Sequence, residues 1–374
     1  MSVAPELLEA VGGLLQPLLQ TLERVVWVQR HLYPPQAPRL ARELAPCRED
    51  VAGPLHALEA QDWPEDLHFM RDRLVAAARQ TVELVEAFVE ASQSPEGPIG
   101  LYRALRRFSG VQETLYPLAP VFEPVSRWFL EPARRGDDAL VARLRAAALR
   151  DDEAKVGVLH ASSERADRGG FSLYVPEAWE GGPAGTGGSP KPLIVALHGG
   201  HGHGRDFLWT WLREARSRGM LLLSPTSLDR TWSMMGPDVD AEPLREMVEF
   251  VAARYAVDRE RVLLTGMSDG ATYALLYGLR DGAPFTHLAA LCGVLHPMLL
   301  VSGDLARAKD RPIYWVHGAL DWMFPVATAQ MARDALQSVG AQLVYREVED
   351  LSHTYPRDEN PNILAWLGSG TALE

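Results

Sequence analysis

A serine placed between two closely spaced glycines is the first candidate for chemistry. Residues 266–270 read Gly-Met-Ser-Asp-Gly, so Ser268 lies at the centre of a G-x-S-x-G pattern. The apolar run "RVLLT" precedes this pattern and the helix-period run "ATYALLYGL" follows it. Small flanking residues allow the sharp strand-to-helix turn that exposes a nucleophilic hydroxyl. The context favours a nucleophile at Ser268 over a glycine-rich turn with an incidental serine.

Two later loops carry a possible base and its partner. A serine hydroxyl needs a base beside it, and the base needs a carboxylate that orients it. Asp321 follows the run "IYWVH", and His353 follows the run "LVYREV". Both residues therefore lie beyond strand ends, where ligands collect in parallel sheets. Because the order serine, acid, histidine is that of α/β-type hydrolases, we predict a catalytic triad of Ser268, Asp321 and His353.

Several other side chains compete for the acid and base roles. The competing carboxylates lie on or just after a strand, or beside a helix-like stretch, which are less favourable places. They are Glu347, Glu349, Asp350, Asp304 and Asp310. His317 is expected to brace the tight "HGALD" turn, and His296 is a candidate for lining a substrate pocket.

A glycine-rich loop with three histidines is the second place where chemistry is conceivable. The stretch "LHGGHGHGRD" contains His198, His201 and His203. Dinuclear zinc hydrolases use the pattern H-x-H-x-D-H, but here Arg205 stands in the place of the aspartate and no histidine follows it. A guanidinium in the coordination shell of a metal is electrostatically unfavourable. We therefore expect no metal and no other cofactor, and we interpret the loop as a backbone device.

The first half of the chain has the hydrophobic period of helices. Residues 1–150 repeat apolar side chains at three- and four-residue spacing. Breaks such as "YPPQAP" and "SPEGPIG" divide this half into four or five helices. We predict an all-α bundle or cap domain of unknown function. Its histidines, His31, His56 and His68, are expected at the surface or in packing, without a metal.

The second half, residues 151–374, alternates short β-rich runs with helical runs. Eight runs of the first kind occur, namely "VGVLHA", "FSLYVP", "LIVALHG", "MLLLSP", "RVLLTG", "LAALCGVL", "IYWVHG" and "LVYREV". Apolar strands separated by helices imply an α/β domain with a mainly parallel sheet and helices on both faces. The Gly/Pro-rich segment 180–192 lies between two of these runs, so we interpret it as an exposed loop and place the domain boundary near residue 150.

Composition excludes some classes of partner. The formal net charge of -12 over 374 residues disfavours nucleic acid or an anionic membrane as the main partner. The two cysteines cannot build a disulfide framework. The N-terminus lacks the pattern of a signal peptide, and no apolar run is long enough to span a membrane, so a cytoplasmic protein is expected. The near absence of lysine is typical of a GC-rich bacterial genome.

Five motifs together resemble the α/β-hydrolases of the carboxylesterase type. They are "LHGGHGHG", "LLLSPTSLDRTWSM", "DRERVLLTGMSDG", "HGALDWMFP" and "LSHTYP". The similarity is to the branch of polyhydroxybutyrate depolymerases, feruloyl esterases and phospholipases/carboxylesterases, and it covers roughly residues 156–370. It implies the α/β-hydrolase fold and a cofactor-free serine hydrolase that cleaves carboxylic esters through an acyl-enzyme. The helical half lies outside the resemblance.

The resemblance also implies an oxyanion hole of two backbone N–H groups. Gly200 is the expected donor from the glycine-rich loop and Asp269 the donor after the serine, with His201 as a substitute for Gly200. The chain departs from the branch at Asp269, where a small or amide residue is more usual, and at Ala271, where a glycine is frequent. A carboxylate beside a developing oxyanion is unfavourable unless it points away.

The substrate is poorly determined by the sequence. Trp232, Trp322, Phe324 and His296 are candidates for lining a pocket, and a small intracellular ester is the expected substrate. A peptidase, amidase or thioesterase would use the same triad, and a non-catalytic binding protein could retain the fold. The helical half could also mediate a homodimer.

Overall fold

The chain folds into two compact units. The computed structural model describes residues 4–95, 97–148, 155–179 and 189–369. The units comprise Met1–Arg150 and Asp151–Glu374. The exact domain boundary near residue 150 and most of the loop predicted at 180–192 lie outside the described residues.

The first unit is helical throughout its described part, as predicted. Its α-helices are α1 (Pro5–Arg30), α2 (Ala37–Leu44), α3 (Cys47–Glu59), α4 (His68–Ala91), α5 (Pro98–Leu115), α6 (Glu123–Trp128) and α7 (Asp138–Ala148). The described residues thus hold seven α-helices rather than four or five. The added breaks are short, since only Ala45 and Pro46 separate α2 from α3. The leucines that repeat along one face of α1, including Leu14, Leu18 and Leu22, are fully buried.

The second unit contains one sheet of eight strands within the described residues. The strands are β1 (Gly157–Ala161), β2 (Phe171–Val175), β3 (Lys191–Leu197), β4 (Leu221–Pro225), β5 (Val257–Met267), β6 (His287–Leu291), β7 (Pro312–Gly318) and β8 (Gln342–Val348). Each corresponds to one of the eight predicted runs. Their order across the sheet is β1-β2-β4-β3-β5-β6-β7-β8.

The sheet is mainly parallel, which confirms the predicted fold class. The strands β1, β2 and β4 pair antiparallel, and every other described pairing is parallel. The central strands β3, β5 and β6 are buried along most of their length. This explains their nearly continuous apolar sequences, because parallel strands are covered on both faces. β6 ends at Leu291, earlier than predicted, because Cys292 adopts a φ of 50°.

Within the described residues, the helices of the second unit lie in the connections that follow β3 to β8. They are α8 (Gly204–Phe207), α9 (Leu212–Arg218), α10 (Ala241–Arg254), α11 (Asp269–Gly278), α12 (Pro297–Val301), α13 (Val326–Ser338) and α14 (Asn360–Ser369). The connections that follow β3, β5, β7 and β8 leave the same, carboxyl edge of the sheet, because these strands run parallel. The Gly/His loop, Ser268, Asp321 and His353 all lie in these connections.

Candidate active site

Ser268 occupies a strained turn between β5 and α11. Its backbone has φ 55° and ψ -120°, a region that non-glycine residues rarely adopt and that costs about 1–3 kcal/mol. The Ser268 amide donates to the carbonyl of Leu291, 2.9 Å away, which ties the turn to the end of β6. Such strain concentrates at functional sites, where the surrounding structure compensates for it.

The two glycines of the G-x-S-x-G pattern are required by close backbone contacts. A Cβ at Gly266 would lie 2.5 Å from the backbone of Gly270. A Cβ at Gly270 would lie 2.4 Å from the carbonyl oxygen of Leu197, at the end of β3. Real Cβ atoms do not approach backbone this closely, so any side chain at either position would force the turn apart. The pattern is therefore a structural requirement of this turn.

The structure brings the three predicted triad residues together. His353 Nε2 lies 3.0 Å from Ser268 Oγ, and His353 Nδ1 lies 2.8 Å from Asp321 Oδ2. Both distances are within hydrogen-bonding range. The three side chains are buried, with residue exposures of 9%, 6% and 4% for Ser268, Asp321 and His353. The arrangement can pass a proton from the hydroxyl to the imidazole while the carboxylate fixes the ring.

The carboxylate of Asp321 is held on both oxygens. Its Oδ1 accepts the backbone N–H groups of Met323 and Phe324, at 2.9 and 2.8 Å. The Phe324 ring meets the His353 ring edge-on, with centroids 5.2 Å apart. Asp321 and His353 are therefore fixed relative to each other by the loop that follows β7.

A second buried histidine, His317, lies beside Asp321. Its Nε2 is 2.8 Å from the Phe324 carbonyl and 3.6 Å from Asp321 Oδ2. Burial lowers the pKa of His317, so the neutral ring donates to the carbonyl and no full ion pair forms with Asp321. His317 thereby braces the loop that holds Asp321.

Glu347 and Asp304, two of the competing carboxylates, lie in other environments. Glu347 accepts hydrogen bonds from Gln330 and Tyr345 at an exposed position. Asp304 pairs with Arg307, and both side chains are about 40% exposed. The carboxylate that contacts the His353 imidazole is that of Asp321.

The candidate pocket residues are placed differently from one another. Phe324 contacts the His353 ring, as described above, whereas Trp322 is 41% exposed. Trp232 is buried, with its ring stacked on Tyr273 at 5.4 Å and its indole N–H donating to the His198 carbonyl at 2.8 Å. His296 caps the short helix α12 by accepting from the Met298 amide. These contacts support packing and capping roles for Trp232 and His296.

Two of the loop histidines act as neutral structural groups. His198 Nε2 accepts from the Ser227 amide at 3.1 Å, so its Nδ1 donates to the Gly199 carbonyl at 2.7 Å. His203 Nδ1 accepts from the Arg205 amide, and its Nε2 lies 3.1 Å from the Glu164 carbonyl. Burial lowers the pKa of His203, which keeps the ring neutral. Within the described residues, no three His, Cys, Asp or Glu side chains cluster in a way that could hold a metal.

The three oxyanion-hole candidates lie beside the serine turn. Gly200 contacts the side chain of Asp269, since a Cβ at Gly200 would lie 2.6 Å from Asp269 Oδ2. The amide of His201 donates to the Arg230 carbonyl at 2.7 Å, which occupies that donor. The His201 amide is therefore engaged by another acceptor in this structure.

Two cavities of the described structure are lined by residues other than the triad. A groove of about 640 Å³ lies on the helical unit, lined in part by Leu19, Trp27 and Trp128. A smaller cavity of about 200 Å³ lies in the second unit, lined in part by Met234 and Leu299.

The sheet topology and the serine turn define the class of protein. An eight-stranded, mainly parallel sheet with a strained serine after β5 is the α/β-hydrolase fold. Residues 240–367, which include Ser268, Asp321 and His353, match the family model described as phospholipase/carboxylesterase. The fold and this match support an α/β-hydrolase of the carboxylesterase type, as the sequence motifs predicted.

Solved structures with similar folds are esterases and other hydrolases. A thermostable esterase is 20% identical, with 54% of this chain and 58% of that chain covered and a TM-score of 0.44. An acetyl xylan esterase from Aspergillus awamori is 14% identical, with 57% and 99% covered and a TM-score of 0.43. A fluorophosphonate-binding serine hydrolase from Staphylococcus aureus is 14% identical, with 56% and 97% covered and a TM-score of 0.47.

These similarities do not identify the substrate of this protein. This chain spans 58% of the length of the thermostable esterase. No curated protein shows significant sequence similarity to this chain. The family match over residues 240–367 supports the serine-hydrolase and esterase family. Separately, none of the described helices combines the length and apolar character needed to cross a membrane.

Proposed function

We propose that this protein is a serine carboxylic-ester hydrolase. The observation that carries the proposal is the continuous hydrogen-bonded series from Ser268 Oγ through His353 to Asp321, with distances of 3.0 and 2.8 Å. The series lies at a strained serine turn in a chain of the esterase class. Its substrate is a small carboxylic ester, and the cytoplasm is the expected compartment.

In the proposed reaction, Ser268 attacks the ester carbonyl while His353 accepts the hydroxyl proton. Asp321 holds the imidazole so that Nε2 faces the serine. The histidine then protonates the leaving alcohol, and an acyl-enzyme forms on Ser268. Water, deprotonated by His353, attacks the acyl-enzyme and releases the carboxylic acid. The series of hydrogen bonds supports each proton transfer.

The negative charge of the tetrahedral intermediate requires backbone donors. We propose the Asp269 and Gly200 N–H groups for this role. Asp269 is the first residue of α11, where the amide has no acceptor from a preceding helical turn. The positive end of the helix dipole adds to the stabilisation of an oxyanion there. One such donor contributes about 3–4 kcal/mol to lowering the barrier.

The proposal is tested by replacing the serine. Ser268→Ala should lower kcat for a short p-nitrophenyl ester by about 10⁶-fold, because the nucleophile is lost while binding is retained. The matched control is Ser338→Ala, which removes a hydroxyl bonded to the Ala335 carbonyl on the exposed side of α13 and should leave kcat unchanged. Retention of most ester hydrolysis by the Ser268→Ala variant would refute the assignment.

The same assay distinguishes between esters, amides and thioesters as the substrate class. Aminoacyl anilides and acyl-CoA should be cleaved more slowly than the p-nitrophenyl ester if the protein is an esterase. Faster cleavage of the anilide would identify a peptidase or amidase, and faster cleavage of acyl-CoA a thioesterase. Inactivity of the folded wild-type protein toward all three would favour a binding protein.

A further inference from the structure

Three consecutive residues after β4 contact both sides of the serine turn. The carbonyl of Arg230 accepts from the His201 amide at 2.7 Å. The hydroxyl of Thr231 donates to Asp269 Oδ2 at 2.6 Å. The indole of Trp232 donates to the His198 carbonyl at 2.8 Å. Residues 230–232 therefore connect the Gly/His loop to the first residue of α11.

The contact that Thr231 makes differs in kind from the contacts of Arg230 and Trp232. Arg230 and Trp232 bind backbone groups of the Gly/His loop, whereas Thr231 binds the carboxylate that directly follows the nucleophile. A charge-assisted hydrogen bond of this length is among the stronger ones in proteins. The bond holds the carboxylate in one position against Gly200, whose ideal Cβ position is 2.6 Å from Asp269 Oδ2.

The orientation of the Asp269 carboxylate matters because its negative charge repels the negative charge that develops on the substrate oxygen during the reaction. The oxyanion of the intermediate develops beside the Asp269 amide, only a few bonds from the carboxylate. If the carboxylate rotated toward that oxygen, repulsion between like charges would raise the barrier. A side chain with free rotation would sample such positions, and a hydrogen bond to Thr231 prevents it.

We propose that Thr231 is a positioning residue, which fixes the Asp269 carboxylate in its observed orientation and prevents it from rotating toward the oxyanion. This inference rests on the proposed function. It explains how the chain tolerates a carboxylate directly after the nucleophile. It also assigns a specific role to the stretch "DRTWSM", of which the proposed reaction uses no side chain.

The first test compares two substitutions at Thr231. Thr231→Val keeps the shape and removes the hydroxyl, and it should lower kcat roughly tenfold or more, less than the ~10²–10³-fold loss from removal of a whole oxyanion donor. KM for a short ester should stay constant, because the effect arises in the transition state. Thr231→Ser keeps the hydroxyl and should restore most of kcat. Equal losses in the two variants would overturn the inference.

The second test asks whether the effect depends on the charge of Asp269. In an Asp269→Asn background, Thr231→Val should change kcat by less than about twofold, because no negative charge remains to be held away. A purely structural role for Thr231 predicts the same loss in both backgrounds. An undiminished loss in the Asp269→Asn background therefore overturns the inference.

The third test does not depend on catalysis. Crystal structures of the wild type and the Thr231→Val variant should show that the Asp269 carboxylate leaves Gly200 in the variant. An unchanged carboxylate position would overturn the inference even if the ester assay fails. Failure of the proposed function is recognised separately, since the wild type would then show no Ser268-dependent hydrolysis.

Discussion

An exposed ion pair of the helical unit contrasts with a buried polar pair of the α/β unit. In the helical unit, Arg79 pairs with Glu59 at 2.6 Å, but the two side chains are 63% and 31% exposed. In the α/β unit, Asp321 meets His353 at 2.8 Å with side-chain exposures of 0% and 5%. Exposed ion pairs contribute about 0–1 kcal/mol, whereas a buried polar group must have its partners fixed. The comparison indicates where chemistry is favoured, because Asp321 and His353 are buried and each is fixed by hydrogen bonds.

The largest expected effect is a loss of kcat when the buried carboxylate of Asp321 is replaced. Asp321→Asn should lower kcat for a p-nitrophenyl ester by about 10⁴-fold, because the amide can donate a hydrogen bond and favours the wrong tautomer of His353. The control is Asp304→Asn at a half-exposed carboxylate, which should leave kcat unchanged. Steady-state kinetics of both variants provide the measurement. Similar losses in the two would show that burial does not distinguish the reactive carboxylate.

A smaller effect is expected from the helical unit. Leu18→Ala removes a fully buried side chain from α1 and should lower the free energy of unfolding by about 2–5 kcal/mol, because a cavity forms. Leu8 lies on the same helix and is 60% exposed, so Leu8→Ala should change that free energy by less than about 0.5 kcal/mol. Chemical denaturation followed by circular dichroism measures both. Equal changes would contradict the packing of α1 described here.

The smallest effect is a pH dependence of stability in the α/β unit. Burial lowers the pKa values of His203, His287 and His317 below the ordinary 6.5. The unfolded chain therefore binds protons more readily, and stability should fall as the pH falls below about 6.5. Each tenfold lowering of proton affinity corresponds to about 1.4 kcal/mol.

His317 provides the cleanest variant for this prediction, because its ring is fully buried. Within the described residues its Nδ1 has no hydrogen-bond partner. His317→Gln should reduce the difference between the denaturation midpoints at pH 7 and pH 5.5. An unchanged difference would mean that His317 is not kept neutral by burial.

The central strands of the sheet were predictable from the sequence because they are buried on both faces. All eight strands appear as apolar runs, and only details of their ends differ. β6 was expected to continue to Leu295 but ends at Leu291, since the left-handed backbone of Cys292 cannot be recognised from its side chain. The helix count was less predictable, because a two-residue break such as Ala45–Pro46 leaves the apolar period nearly intact.

The site was predictable from the sequence only where the local backbone geometry requires particular residue types. The serine turn has such a requirement, since both of its glycines make contacts that exclude a Cβ. The hydrogen bond from Thr231 to Asp269 leaves no such signal in the sequence, because it joins two side chains that are 38 positions apart. The hydrogen bond from the His201 amide to the Arg230 carbonyl could not be predicted for the same reason. Contacts between loops depend on tertiary structure, which hydrophobic period does not reveal.

The central claim, a nucleophilic Ser268 activated by His353, is tested most directly by covalent labelling. The wild-type protein is treated with a fluorophosphonate probe, and the modified peptide is identified by mass spectrometry. The account predicts a single phosphonylated serine at position 268 and no labelling of the folded Ser268→Ala variant. Labelling at another serine, or absence of labelling in a folded wild-type protein, would contradict it.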